Sequence, residues 1–126
     1  MWIKDGLWQG AEEYGDNEVW SWITTGPSPY SGSYSHQSDW VYGMHQHYFV
    51  NAAPVSVGIT DTLICYINID PVFFAPSQVM IQWCSSQEYC NHRAYWGADY
   101  LGWSPTTYMG PLPSLGSCVR LEVPAN

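Results

Sequence analysis

Apolar and polar residues alternate with a period of two along several stretches of the chain. In TLICYINID, Leu63, Cys65, Ile67 and Ile69 share one face and Tyr66, Asn68 and Asp70 the other. In QVMIQW, Val79, Ile81 and Trp83 alternate with Gln78, Met80 and Gln82, and in CVRLEV, Val119, Leu121 and Val123 oppose Arg120 and Glu122. Such alternation predicts antiparallel strands buried on one face. Further strands are expected at 19–23 (VWSWI), 43–50 (GMHQHYFV), 55–59 (VSVGI) and 92–97 (HRAYWG). No helix is expected, because nine Pro and eleven Gly interrupt every run that would sustain a 3.6-residue period. Turn clusters such as TGPSPYSGS, NAAP, DPVFFAPS and GWSPTTYMGPLPSLGS separate the strands. Short strands joined in this way predict an all-β fold, an antiparallel β-sandwich of the jelly-roll type. With 126 residues and neither repeat nor linker, residues 1–126 are expected to form a single β-sandwich domain.

Composition narrows the partners. Charged residues make up 11% of the chain, against roughly 25% in ordinary soluble domains. Eleven acids face three bases, Lys4, Arg93 and Arg120, for a formal charge of −8. The basic footprint that nucleic acid or an anionic membrane surface requires is therefore missing. No apolar run approaches the roughly 20 residues of a membrane span. Eight Trp and ten Tyr suit pleated strands and also sugar- or protein-binding faces.

Cys84 and Cys90 flank SSQEY between two strand-like runs, where a disulfide closes a hairpin naturally. Zinc would need closer spacing and further ligands, and His92 alone is near. Cys65 and Cys118 lie in two other strand-like runs, as a second bridge or as free thiols; the even count favours the bridge. Disulfides point to an oxidising, extracellular or cell-surface setting.

The stretches EVWSWITTGPSPYSGSYSHQS, GMHQHYF, DTLICYINIDP, QVMIQW, HRAYWGA, MGPLP and VRLEVPA together resemble the jelly-roll modules, galactose-binding-like or carbohydrate-binding-like, of large bacterial secreted and surface proteins. The resemblance implies fold and location and supplies no catalytic residues. Modules of that kind run on past the VPA segment and lack cysteines at these four positions. A sandwich short of its terminal strands and stapled by disulfides is the expectation.

Three constellations carry candidate chemistry. His45 and His47 form an H-x-H whose side chains share a strand face, a transition-metal pair of cupin type if His36 or His92 joins them. The favoured reading is a buried hydrogen-bonded layer with Gln46, Tyr48 and Ser residues. AEEYGDNE gathers Glu12, Glu13, Asp16 and Glu18 beside a glycine, either a structural Ca²⁺ loop or a solvated acidic one. Trp40, Tyr42, Tyr100, Trp103 and Tyr108 fall in turn-rich segments, where rings serve as sugar platforms more readily than as core. No G-x-S-x-G or H-E-x-x-H motif and no phosphate-cradling glycine loop occurs.

The sequence thus predicts a non-catalytic, secreted binding module whose partner is a glycan or cell-surface polymer. Two alternatives accompany it: a self-assembling or adhesive subunit that shares strands through an open sheet edge as a homo-oligomer, and a small cupin-like metal enzyme.

Overall fold

A computed structural model describes residues 5–16, 21–72, 74–85 and 90–126, and every regular element among them is a β-strand. The strands are β1 (Glu12–Asp16), β2 (Ser21–Ile23), β3 (Ser35–Gln37), β4 (Gln46–Val50), β5 (Thr62–Asn68), β6 (Gln78–Trp83), β7 (His92–Gly97), β8 (Thr107–Gly110) and β9 (Cys118–Pro124). The chain divides into two compact units, Met1–Val55 and Ser56–Asn126.

The second unit holds the described core. β5 pairs with β9 antiparallel, and β6, β7 and β8 form a three-stranded sheet in that order. Side chains from both sheets meet in one cluster. Ala94 and Trp96 of β7 and Leu121 and Val123 of β9 are buried, with Leu63, Ile67, Val79, Ile81, Trp83, Met109 and Val119 packed around them. This is a small two-sheet sandwich built by the alternation read in the sequence. On β9 the polar positions point outward, where Arg120 and Glu122 form an exposed ion pair of 2.9 Å. Such a pair contributes little to stability, about 0–1 kcal/mol.

Gly97 ends β7 at φ 90°, a left-handed conformation that only glycine adopts cheaply. A Cβ there would collide with the Ser77 carbonyl oxygen, which also accepts the Ala98 N–H at 2.9 Å.

In the first unit, β1 pairs with β4 and β2 with β3, both antiparallel, in two separate two-stranded sheets. Among its described residues none is fully buried.

Three expectations need correction, and a fourth falls partly outside the described residues. Residues 55–59 are not a strand: Val55, Val57 and Ile59 stay exposed, and the run ends in a turn. There Asp61 Oδ2 accepts the Gly58 N–H at 2.7 Å while the Asp61 N–H donates to the Gly58 carbonyl at 3.0 Å. Strand propensity without a neighbouring strand to pair with makes no sheet. The acidic segment expected as a loop is instead β1, held by its register with β4. β8 lies in a segment expected to be all turn, and it runs parallel to β7 with a register shift at Tyr95/Trp96, so the pairing is not wholly antiparallel. The start of the expected strand 19–23 lies outside the described residues, and its remainder is β2.

Two substitutions test this core. Gly97→Ala should destabilise the second unit by about 1–3 kcal/mol from backbone strain alone, and the collision with Ser77 adds to that. Leu121→Ala should cost about 2–5 kcal/mol. Urea unfolding of each variant reads both; an unchanged midpoint for Gly97→Ala would contradict the geometry at the end of β7.

Candidate functional site

The cysteines resolve into one bridge and two thiols. Cys84 and Cys90 are disulfide-bonded, as their place across one hairpin predicts. Cys65 and Cys118 are free and exposed, which corrects the expected second bridge. Register is the reason. Cys65 stands opposite Leu121 and Cys118 opposite Asn68, an offset of three residues, or about 10 Å at strand rise. An odd offset also places them on opposite faces of the sheet, beyond any disulfide reach.

Of the histidines, His36 on β3 and His47 on β4 meet across the two sheets of the first unit. Their Nδ1 atoms lie 2.9 Å apart, so one ring carries the proton there and donates it to the other. His45 lies ahead of β4, exposed, with Nδ1 3.4 Å from the Gly43 carbonyl. His92 belongs to the second unit, stacked on Trp83 with ring centroids 5.6 Å apart. The expected partners of the pair are engaged elsewhere. Gln46 donates to Asp16 Oδ2, and Tyr48 stacks on Tyr14 at 5.9 Å, both on the other face of β4. The layer imagined from sequence is therefore a two-histidine tie.

His36 is exposed, yet its Nδ1 faces His47 and its ring lies steeply inclined to that of Trp22, centroids 5.9 Å apart. Desolvation foremost, then the neighbouring His47, lowers its pKa to about 4, against the opposing pull of Glu13. His47 is lowered too, by desolvation and then by His45, with Asp39 and Glu13 acting in the opposite sense.

The carboxylates proposed for calcium are separated by the pleat of β1. Glu12 and Asp16 take one face and Glu13 the other; Glu18 lies outside the described residues. Glu13 Oε2 accepts the Trp22 indole N–H at 3.3 Å, a second link between the two sheets of this unit. Among the described residues, no group of three or more His, Cys, Asp or Glu side chains is gathered to hold a metal ion.

The five candidate aromatics fall into two sets. In the first unit Trp40 and Tyr42 sit outside any strand, 59% and 86% exposed, with ring centroids 5.9 Å apart. In the second unit Tyr100 is 78% exposed on a fastened loop. Gln78 Oε1 accepts the N–H groups of Tyr100 and Leu101 at 3.1 and 3.0 Å, and Asp99 Oδ1 accepts that of Gly102 at 3.1 Å. Tyr108 on β8 leans on Tyr95, centroids 5.4 Å apart, and remains exposed. Trp103 differs: half-buried, it carries the Arg93 guanidinium 5.5 Å above its ring. One of its faces is therefore covered by Arg93.

Arg93 was not singled out by sequence, and its guanidinium makes several hydrogen bonds within this unit. Its Nε donates to Gln82 Oε1 at 2.9 Å and one terminal nitrogen to the Cys90 carbonyl at 2.8 Å. The other terminal nitrogen reaches the carbonyls of Ser104 and Pro105 at 3.4 and 3.5 Å.

Sequence also gave no sign of an open cleft in the first unit, lined by Asp5, Gly6, Leu7, Glu13, Trp22 and Tyr34. The Asp5 carboxylate accepts the backbone N–H groups of Ser33 and Tyr34, 28 and 29 residues away, a separation at which no local pattern signals contact.

No protein-family model matches the chain, and no curated protein or solved structure is significantly similar to it.

The histidine tie sets a pH response. Folded values below the ordinary 6.5 mean that the folded state binds fewer protons than the unfolded chain, so stability is full above about pH 6.5 and falls as pH drops toward 4. Thermal melts across this window should show the loss, and His36→Gln should flatten it; equal slopes for the two proteins would contradict the tie. Thiol mapping gives an independent check. Non-reduced protein should yield a peptide pair joined between Cys84 and Cys90, with Cys65 and Cys118 both alkylated.

Proposed function

We propose that the chain is a non-catalytic extracellular binding module, of carbohydrate-binding jelly-roll type, that presents aromatic side chains to a glycan. The observation that carries this reading is the side-by-side exposure of Trp40 and Tyr42 away from any strand. Large rings held in water are unfavourable unless a partner covers them, and a sugar offers C–H faces that do so. Tyr100, on its fastened loop, is a second exposed ring of the same kind. The Cys84–Cys90 disulfide supports an oxidising, secreted setting. Among the described residues no helix is long and apolar enough to cross a membrane.

A second reading, the strand-sharing subunit, is favoured by one observation. Among the described residues β9 has β5 as its strand partner in a two-stranded sheet, which leaves backbone groups along a sheet edge for another chain. Solution mass separates the two readings, since ordered multimers that survive dilution favour the subunit.

The glycan reading is tested on an array probed with the whole chain. Trp40→Ala and Tyr42→Ala should each weaken binding by about 1–3 kcal/mol, the worth of burying a large apolar side chain, with unchanged circular dichroism. An array blank for the unaltered protein at high concentration would sink the reading.

A further inference from the structure

The pairing of β9 fixes which of its backbone groups face outward. The Ala125 N–H donates to the Asp61 carbonyl at 3.0 Å, and the register runs unbroken from there, with Leu63 opposite Val123, Cys65 opposite Leu121 and Ile67 opposite Val119. Backbone groups alternate in direction along an antiparallel pair, so these opposed residues turn their N–H and C=O groups toward each other. Cys118, Arg120 and Glu122 therefore turn theirs away from β5. On that side β9 has no strand neighbour among the described residues. A row of open donors and acceptors is a template for a further strand.

Charges on an edge usually keep a second strand away. Here they favour one partner. Arg120 and Glu122 lie two residues apart on the outer face of β9, half-exposed and paired to each other at 2.9 Å. An antiparallel copy of the strand presents the same two charges in reverse order. When Leu121 stands opposite its own counterpart, Arg120 meets Glu122 of the second copy and Glu122 meets Arg120 of the second copy. The neighbouring registers that keep the apolar residues on one face are worse. Shifted one way, Arg120 opposes Arg120; shifted the other, Glu122 opposes Glu122, and like charges directly opposite are destabilising. In the favoured register Val119, Leu121 and Val123 of each copy continue the apolar stripe across the junction. The outer positions of β5, Thr62, Ile64, Tyr66 and Asn68, carry no charge and select no register.

We infer that β9 pairs with β9 of a second copy of this chain, about a two-fold axis at Leu121, so that the β5–β9 ribbons of the two copies join into one continuous sheet. The inference rests on the strand-sharing reading and names its partner, its strand and its register. Cys118 then lies opposite Pro124 of the second copy and far from its own counterpart, so the pair forms without a covalent link.

The test is sedimentation equilibrium of the whole chain, with Cys118→Ser throughout so that no disulfide between copies contributes. This parent chain should sediment at twice its monomer mass. Arg120→Glu and Glu122→Arg each set like charges opposite one another, and each should weaken the dimer about tenfold while circular dichroism stays unchanged. An equimolar mixture of the two variants should recover the dimer. Every Arg then opposes a Glu across the junction, although neither chain regains its internal ion pair. No recovery on mixing, or single variants as dimeric as the parent, overturns the inference; multimers that persist through these substitutions leave the strand-sharing reading standing. A parent chain that is monomeric at every concentration removes the inference and the strand-sharing reading together, and leaves the glycan reading untouched.

Discussion

Strand β7 is hydrogen-bonded to a neighbour on each side, β6 and β8, and the rest of the second unit depends on that central position. Its inward face supplies Ala94 and Trp96, half of the buried cluster. Its other face carries Arg93, which reaches back to the Cys90 carbonyl and outward to the Ser104 and Pro105 carbonyls. One strand thus sets the core, the closed end of the disulfide hairpin and the loop after β7. Its last residue, Gly97, is the point where the chain can leave without a Cβ meeting Ser77. Loss of register along this strand would move the apolar face outward and scatter all three features.

The first unit is organised on another principle. Without a fully buried side chain among its described residues, it relies on polar ties between its two small sheets. The histidine pair joins β3 to β4, and the Glu13–Trp22 hydrogen bond joins β1 to β2. Hydrogen bonds of this kind each contribute on the order of 1 kcal/mol, so the unit depends on several acting together. Its stability is coupled to proton binding in a way that the apolar cluster of the second unit is not. Glu13 and Trp22, which tie β1 to β2, also line the open cleft of this unit.

Much of the fold was legible in the sequence where a strand has one buried face. Val79, Ile81 and Trp83, and Val119, Leu121 and Val123, announced their strands by alternation and pack on one core. β1 gave no such sign, because EEYGD has no apolar stripe and is a strand through its pairing with β4 some thirty residues on. β8 was hidden for a similar reason: TYMG follows a proline-rich turn and becomes a strand only beside β7. VSVGI erred the other way, since its valines carry strand propensity and find no partner. At the level of sites, Cys84 and Cys90 could be paired because one hairpin contains both, whereas Cys65 and Cys118 depend on a register that spacing does not reveal. Loop position correctly marked Trp40, Tyr42 and Tyr100 as exposed, and could not show that Trp103 lies beneath a guanidinium.

The scarcity of basic residues has a consequence for resistance to proteolysis. A protease that cuts after Lys or Arg has three sites in the whole chain, at Lys4, Arg93 and Arg120. Two of them stand inside strands, Arg93 in β7 and Arg120 in β9. Cleavage requires the backbone to be drawn out as a single extended segment, and exposed loop tips are the usual place for it. At Arg93 that means parting β7 from β6 and β8 and pulling the guanidinium off Trp103; at Arg120 it means stripping β9 from β5. The turns between the strands of the second unit contain no residue at which such an enzyme cuts. Digestion there must wait for the sandwich to open.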